Sequence, residues 1–178
     1  MGDSTRKEDD ANAHDRDYRG VYDRAIRILA LRDHGVEELR RKLLAKGEPL
    51  ALVERVLEAC LGSGLLNDPL FAYRRAVSRM AGKGYGPLKV RGELLVLGLT
   101  PEVVSEGMAK ALEEIDLGDI VARVFERRCA EFWKGGAAGA DQRAKRRCFD
   151  LLFRRGFDTD TIHRVLSRSP AGVTYDGK

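Results

Sequence analysis

The chain aligns with itself, and that self-similarity restricts its fold more than any single motif. Three segments superpose without gaps: "VEELRRKLLAKGEPLALVERVL" from Val36, "PLKVRGELLVLGLTPEVVSEGM" from Pro87 and "KRRCFDLLFRRGFDTDTIHRVL" from Lys145. In this register Leu39, Val90 and Cys148 coincide, followed by Leu43, Leu94 and Leu152, then Leu44, Leu95 and Phe153. Gly47, Gly98 and Gly156 share the next common position, and beyond them Val53, Val104 and Ile162 align, as do Leu57, Met108 and Leu166. Apolar positions spaced by three and four residues on both sides of a shared glycine describe two amphipathic helices joined by a glycine-terminated turn.

A further helical stretch precedes each pair. The first is about Tyr18 to Asp33 with Tyr22, Ile26 and Leu29 on one face, and the second about Pro69 to Ala81, entered through "NDP" with Asp68 as cap and Pro69 opening the helix. The third runs from about Gly118 to Lys134, with Val121, Val124, Phe125 and Phe132 as its buried stripe and Trp133 beside it in the core. The expectation is an all-α fold of three tandem three-helix modules, residues 18–66, 67–115 and 116–169, forming an elongated, curved rod. Each module is near the lower size limit for folding alone, so neighbours should share buried surface. The charged, glycine-containing ends, residues 1–17 and 170–178, are expected to be disordered tails. The "KGGAAGADQ" stretch after Trp133 reads as a loose joint leading to a helix that begins near Asp141.

Few chemistries survive this pattern. Uncharged apolar runs such as Leu94 to Leu99 are far shorter than the roughly 20 residues that cross a bilayer, and the polar N-terminus resembles neither a signal peptide nor a transit segment, which points to the cytoplasm. The three cysteines, Cys60, Cys129 and Cys148, form no Cys-x-x-Cys pair and read as buried free thiols, with no metal and no cofactor implied. None of the three histidines lies near a Ser or Cys in a nucleophile motif, so no enzyme is expected; His34 reads as a helix-end residue facing the dipole, and His163 as solvent-leaning.

The glycine-rich "MAGKGYGPLKVRGELL" invites a phosphate-loop reading, which fails. No Ser or Thr follows Lys83, the glycine spacing is wrong, and the preceding residues are helical. Because Gly86 falls on Gly35 of the first module, the loop is first of all a joint, with backbone approach to an anion as a secondary role.

Charge is uneven along the chain. Residues 1–24 hold seven acidic and five basic side chains, whereas Lys134 to Arg155 hold seven basic and two acidic. That distribution suits an anionic partner, whether nucleic acid or an acidic protein surface. The basic residues off the apolar stripes are the binding candidates: Arg74, Arg75, Arg79, Lys83, Lys89 and Arg91 in the middle module, and Arg143, Lys145, Arg146, Arg147, Arg154 and Arg155 in the third. Arg143, Arg147 and Arg154 recur at four and seven residues and can share one helix face opposite Cys148 and Leu152. Tyr85 reads as packing against the hinge, with stacking on a base as the alternative.

The order of motifs resembles the RecX family, regulators of the bacterial recombinase RecA. The resemblance is strongest in "LLNDPLFAYRRAVSRMAGKGYGPLKVRGELLVLGL", where Asp68, Phe71, Ala72, Arg79, Lys83, Gly84, Gly86, Leu94 and Gly98 occupy hallmark positions, and "LRRKLLAKG" and "LLFRRGFDTDTI" fit as well. Pro69, Leu97 and the loose joint depart from the family pattern. The resemblance implies a non-enzymatic, monomeric modulator that lies in the groove of a RecA filament on single-stranded DNA. It would inhibit recombinase, ATPase and coprotease activities and so regulate recombinational DNA repair and the SOS response. The alternative from the residues themselves is a direct DNA-binding protein whose modules work as helix-turn-helix-like units with phosphate contacts dominating.

Overall fold

A computed structural model describes residues 17–133 and 140–168. The expected disordered tails and most of the glycine-rich joint lie outside these residues, except Asp17, which is already helical. The described residues form helices and turns with no strand, so the chain is all-α as expected. In order they are α1 (17–29), α2 (Val36–Leu44), α3 (Leu50–Gly62), α4 (Asp68–Val77), α5 (Pro87–Val96), α6 (Pro101–Glu114), α7 (Leu117–Arg128), α8 (Ala140–Arg154) and α9 (Thr159–Arg168). Two helical turns extend this set, a π-helical one at Ser78–Gly82 that prolongs α4 and a 3-10 one at Ala130–Trp133 after α7.

The repeat register carries directly into packing. Leu39, Val90 and Cys148 are fully buried, as are Leu43, Leu94 and Leu152, and then Val53, Val104 and Ile162. The three glycines that follow the second helices, Gly47, Gly98 and Gly156, have φ of 84°, 97° and 86°. Each turn closes with the same pair of hydrogen bonds. Gly47, Gly98 and Gly156 donate to Leu44, Leu95 and Phe153, and the next N–H in each case donates back to Leu43, Leu94 or Leu152. This is the Schellman closure, which requires a left-handed residue and therefore glycine.

Two apolar cores result. Val21, Ala25, Leu39, Leu43, Val53, Val56, Leu57, Cys60 and Leu66 build one from α1–α3. A second runs without a break through α4–α9, from Phe71 and Met80 to Leu152, Phe157 and Ile162. Within it α4 packs most extensively on α6. Gly107 makes that approach possible, because a Cβ there would meet the Ala72 Cβ at 2.6 Å and the Tyr73 backbone nitrogen at 2.9 Å.

Several local expectations are corrected. Val21 and Ala25 carry the buried stripe of α1, whereas Tyr22 and Leu29 are only partly buried against it, one position off the face read from periodicity. Asn67 caps α4, its side chain accepting from the Leu70 N–H at 2.9 Å, while Asp68 instead accepts from the Val36 N–H at the start of α2. His34 is buried in the turn between α1 and α2 with Nδ1 2.9 Å from the Arg32 carbonyl, so it lies past the end of α1 and is not a residue of the last helical turn. Cys129 and Cys148 are joined as a disulfide with Cα atoms 5.4 Å apart, because the residue after α7 packs on the buried face of α8; Cys60 alone of the three is free, and buried. Val121 and Val124 are buried as expected, whereas Phe125 and Phe132 of the same stripe pack only partly buried against the second core; His163 is exposed beside Phe149, as expected.

Candidate functional site

The second helices of the modules meet end to start, and the two junctions place the candidate residues. At the first, the end of α5 abuts the first turn of α2: any side chain on Gly98 would overlap Glu37, and Arg41 donates to the carbonyls of Val96 (3.2 Å) and Leu97 (2.7 Å). At the second, the end of α8 abuts the start of α5: the Gly86 N–H donates to the Arg155 carbonyl (2.7 Å) and the Leu88 N–H to that of Gly156 (3.0 Å). At this second junction free N–H groups at one helix start meet free carbonyls at another helix end, satisfying both, whereas at the first the carbonyls are satisfied by the Arg41 side chain.

Beside each junction the turn after a first helix faces the first helix of the next module, leaving a cleft. The first cleft, about 400 Å³, is mostly apolar, lined by Ile26, Leu29, Leu65, Leu70 and Phe71 with His34 and an Asp33–Arg74 ion pair of 3.3 Å. Further ion pairs lie within the flanking modules: Arg32 bonds Glu38 and Arg40 bonds Glu54 and Glu37 in the first, and Arg79 pairs with Glu93 at 3.0 Å in the second. Burial pushes the Glu38 carboxyl up, yet its Arg32 hydrogen bonds and the His34 charge outweigh this and leave it below its ordinary value. Burial also holds the His34 imidazole low.

The second cleft, about 240 Å³, is lined by Ala81, Gly82, Lys83 and Gly84 of the turn after α4, by Ile120, Arg123, Val124, Arg127 and Arg128 of α7, and by Arg155. Five cations and no carboxylate line it. Gly84, at φ 64°, lets the turn come this close, since a Cβ there would stand 2.6 Å from Val124 Cγ2. The backbone N–H groups of the loop are already bound: Lys83 and Gly84 donate back into the preceding turn, Tyr85 to the Arg79 carbonyl, and Gly86 to Arg155. The loop backbone therefore does not cradle an anion, and the side chains around it are what remains.

The sequence-derived candidates separate accordingly. Arg74 pairs with Asp33, Arg79 with Glu93, and Arg91 donates to the Ser105 hydroxyl at 3.2 Å. Arg75 is half-buried near the Phe71 ring, and burial together with the neighbouring Arg79 and Arg32 lowers its pKa. Lys89 sits over the Tyr85 ring at 4.3 Å, with Arg155 near the same ring at 5.8 Å, so Tyr85 is a packing residue of the hinge. Arg155 also donates to the carbonyls of Lys83 (2.8 Å) and Gly84 (3.1 Å), locking the turn. Arg143, Lys145, Arg146, Arg147 and Arg154 are exposed on α8, with Cys148 and Leu152 buried on its other face. Lys83 is exposed and joins the basic cleft, whereas its partners Arg123, Arg127 and Arg128 escaped sequence reading. Their spacing on α7 beside Ile120 and Val124 was a signal, masked because Asp119 and Glu126 alternate with them.

Among the described residues no group of three or more His, Cys, Asp or Glu side chains could hold a metal ion, and no helix is long and apolar enough to cross a membrane.

Known proteins match this architecture over most of its length. A family model described as "RecX, first three-helix domain" matches residues 22–60. The "Regulatory protein RecX" of Xanthomonas oryzae pv. oryzae (strain MAFF 311018) is 35% identical over 149 residues, covering 83% of this chain and 87% of that protein. That of Shigella dysenteriae serotype 1 (strain Sd197) is 41% identical over 110 residues, 56% of this chain and 63% of the relative. Among solved structures, a crystal structure of regulatory protein RecX superposes with a TM-score of 0.76 at 16% identity, covering 92% of this chain and 78% of the other. RecX from Lactobacillus salivarius gives 0.69 at 16% identity, with 85% and 96% covered. At 35% identity over 83% of this chain and 87% of the Xanthomonas relative, the chain belongs to the RecX family of regulatory proteins.

Proposed function

We propose that this chain engages the RecA filament assembled on single-stranded DNA and restrains its recombinase, ATPase and coprotease activities, and so regulates recombinational repair and the SOS response. It works as a monomer in the cytoplasm and carries out no catalysis of its own. Family membership supports the partner. The observation on the molecule that carries the reading is a set of repeat-equivalent apolar residues left in solvent: Leu44, Leu95 and Phe153 are 38%, 40% and 55% exposed at the same position of α2, α5 and α8. An apolar side chain repeated once per module suits a partner that is itself a repeating polymer, since several weak contacts held on one rod act together.

The test is DNA-dependent ATP hydrolysis by the cognate RecA with increasing amounts of this protein. Inhibition at amounts well below those that saturate the bare DNA is expected. Untouched preassembled filaments, together with salt-sensitive binding to bare DNA, would overturn the reading in favour of a plain DNA-binding protein.

A further inference from the structure

The two clefts are equivalent positions of one repeat, and their chemistry is opposite. Each lies between the turn after a module's first helix and the first helix of the next module. At the first seam, α2 opens with Glu37 and Glu38, and Arg32, Arg40 and Arg74 each pair with a carboxylate, while the half-buried Arg75 beside them has no such pair. At the second, the repeat puts Leu88 and Lys89 in those two positions, and Lys83, Arg123, Arg127, Arg128 and Arg155 converge with no ion pair to any of them among the described residues. Like charges brought together in a concave, partly apolar site repel one another more strongly than on an open surface. Nothing in the apolar core requires that gathering, because the exposed Arg127 and Arg128 are free to be any polar residue.

We infer that this seam is a binding site for phosphate groups, with the guanidinium forks of Arg127, Arg128 and Arg123 and the Lys83 ammonium as donors. Arginine presents five N–H donors in a plane that matches two phosphate oxygens, and Arg155 keeps donors to spare after holding the Lys83 and Gly84 carbonyls. A volume of about 240 Å³ accommodates one or two phosphate groups. Tyr85, the aromatic ring nearest the loop, is covered by Lys89 and Arg155, so no free ring is offered to a base. The site therefore reads phosphate and not base identity. Arg123 also borders an adjoining acidic cleft, lined by Glu114, Asp116, Asp119 and Glu126 and sharing Ala81 and Ile120 with the basic one, whereas Arg127 and Arg128 line the basic one alone. Because the donors come from two modules, an occupied site ties the turn of the middle module to α7 of the third.

This inference stands apart from the filament reading, and its experiment contains no recombinase. Two probes separate the sources of phosphate: sodium pyrophosphate, titrated by calorimetry at constant ionic strength, and a fluorescein-labelled oligo(dT), followed by anisotropy. Binding in the pyrophosphate arm assigns a free phosphate ligand, and binding in the oligonucleotide arm alone assigns a polynucleotide backbone. In whichever arm binds, Arg127→Gln with Arg128→Gln should weaken affinity about tenfold or more, equivalent to roughly 1.4 kcal/mol, and Lys83→Gln should weaken it in the same direction. Arg27→Gln with Lys46→Gln, which removes the same charge from exposed positions of the first module, should change it less than about twofold. Absence of binding in both arms, or an equal loss in the Arg27 and Lys46 variant, overturns the inference. All three variants alter exposed side chains, and circular dichroism checks that each remains folded.

Discussion

Gly86 and Gly156 meet backbone to backbone, so that a Cβ on Gly86 would overlap the Gly156 peptide while the N–H groups of Gly86 and Leu88 donate to the carbonyls of Arg155 and Gly156. The contact joins the start of α5 to the end of α8 and so fixes the middle module to the third. Gly86 has φ −79° and ψ 162°, a conformation open to any residue, so its requirement for glycine comes from the neighbour alone. Gly86→Ala is expected to destabilise the protein by about 1–3 kcal/mol through overpacking. Gly47 has open space around it but φ 84°, so Gly47→Ala should cost about 1–2 kcal/mol from left-handed strain. Urea unfolding with the Gly86 variant as stable as wild type would refute the close junction.

Asp68 acts away from its own helix. Its carboxylate accepts from the Val36 N–H at 2.9 Å, capping α2 from the start of α4, while Asn67 caps α4 itself. Asp68→Ala and Asn67→Ala should each cost about 1 kcal/mol. Only the former should speed amide exchange at the start of α2, read by hydrogen exchange on intact protein; protection there unchanged in Asp68→Ala would rule out the long-range cap.

Acid should weaken the first seam in two stages. Burial lowers the His34 pKa below its ordinary 6.5, so the unfolded chain binds more protons than the folded one just below that value and stability falls as pH drops through it. Glu38 is also held below its ordinary 4.5, because the Arg32 hydrogen bonds and the His34 charge overcome the opposing effect of burial. Its contribution is present above 4.5 and disappears as pH falls through the lower folded-state value. Urea midpoints between pH 7.5 and pH 5.5 should therefore decline in wild type, and His34→Gln should flatten that span. An equal decline in the variant would place the effect elsewhere.

The disulfide predicts a thiol count. Without reductant, the unfolded protein should titrate as one free thiol, Cys60, and after reduction as three. Cys129 and Cys148 are 19 residues apart, so opening their link should lower stability by about 3 kcal/mol on loop-entropy grounds. Three reactive thiols in unreduced protein would contradict the pairing.

Legibility in the sequence followed periodicity. The aligned positions Leu43, Leu94 and Leu152 and the glycines Gly47, Gly98 and Gly156 were readable because burial and a left-handed turn each admit few residue types. The α1 stripe lies one position from the one the periodicity predicts because Val21 and Ala25 are smaller than Tyr22, Ile26 and Leu29, and a small residue at a close contact gives little hydropathy signal. The basic cleft was half readable. Lys83 stands out beside glycines, but which arginines join it depends on how α7 docks, a relation between segments about 40 residues apart in sequence that no local pattern encodes. Arg75, Arg79, Lys89 and Arg155 illustrate the converse, since their charge was visible while their intramolecular partners were not.

The repeat-equivalent apolar residues give the proposed filament contact its sharpest test. Leu95 and Phe153 are exposed, at 40% and 55%, directly after the fully buried Leu94 and Leu152. Substitution at the exposed positions should leave stability within about 0.5 kcal/mol, as for surface changes away from special features. If a repeating partner reads one apolar residue per module, Leu95→Ser or Phe153→Ser alone should raise the concentration that half-inhibits RecA ATP hydrolysis by severalfold. The double variant should raise it by about the product of the two, because each contact contributes to one multivalent engagement. The measurement is inhibition of the cognate filament's ATPase at fixed salt, with urea unfolding run in parallel. Unchanged inhibition by the stably folded double variant would remove this face from the interface and leave the basic residues of α8 as the remaining candidates.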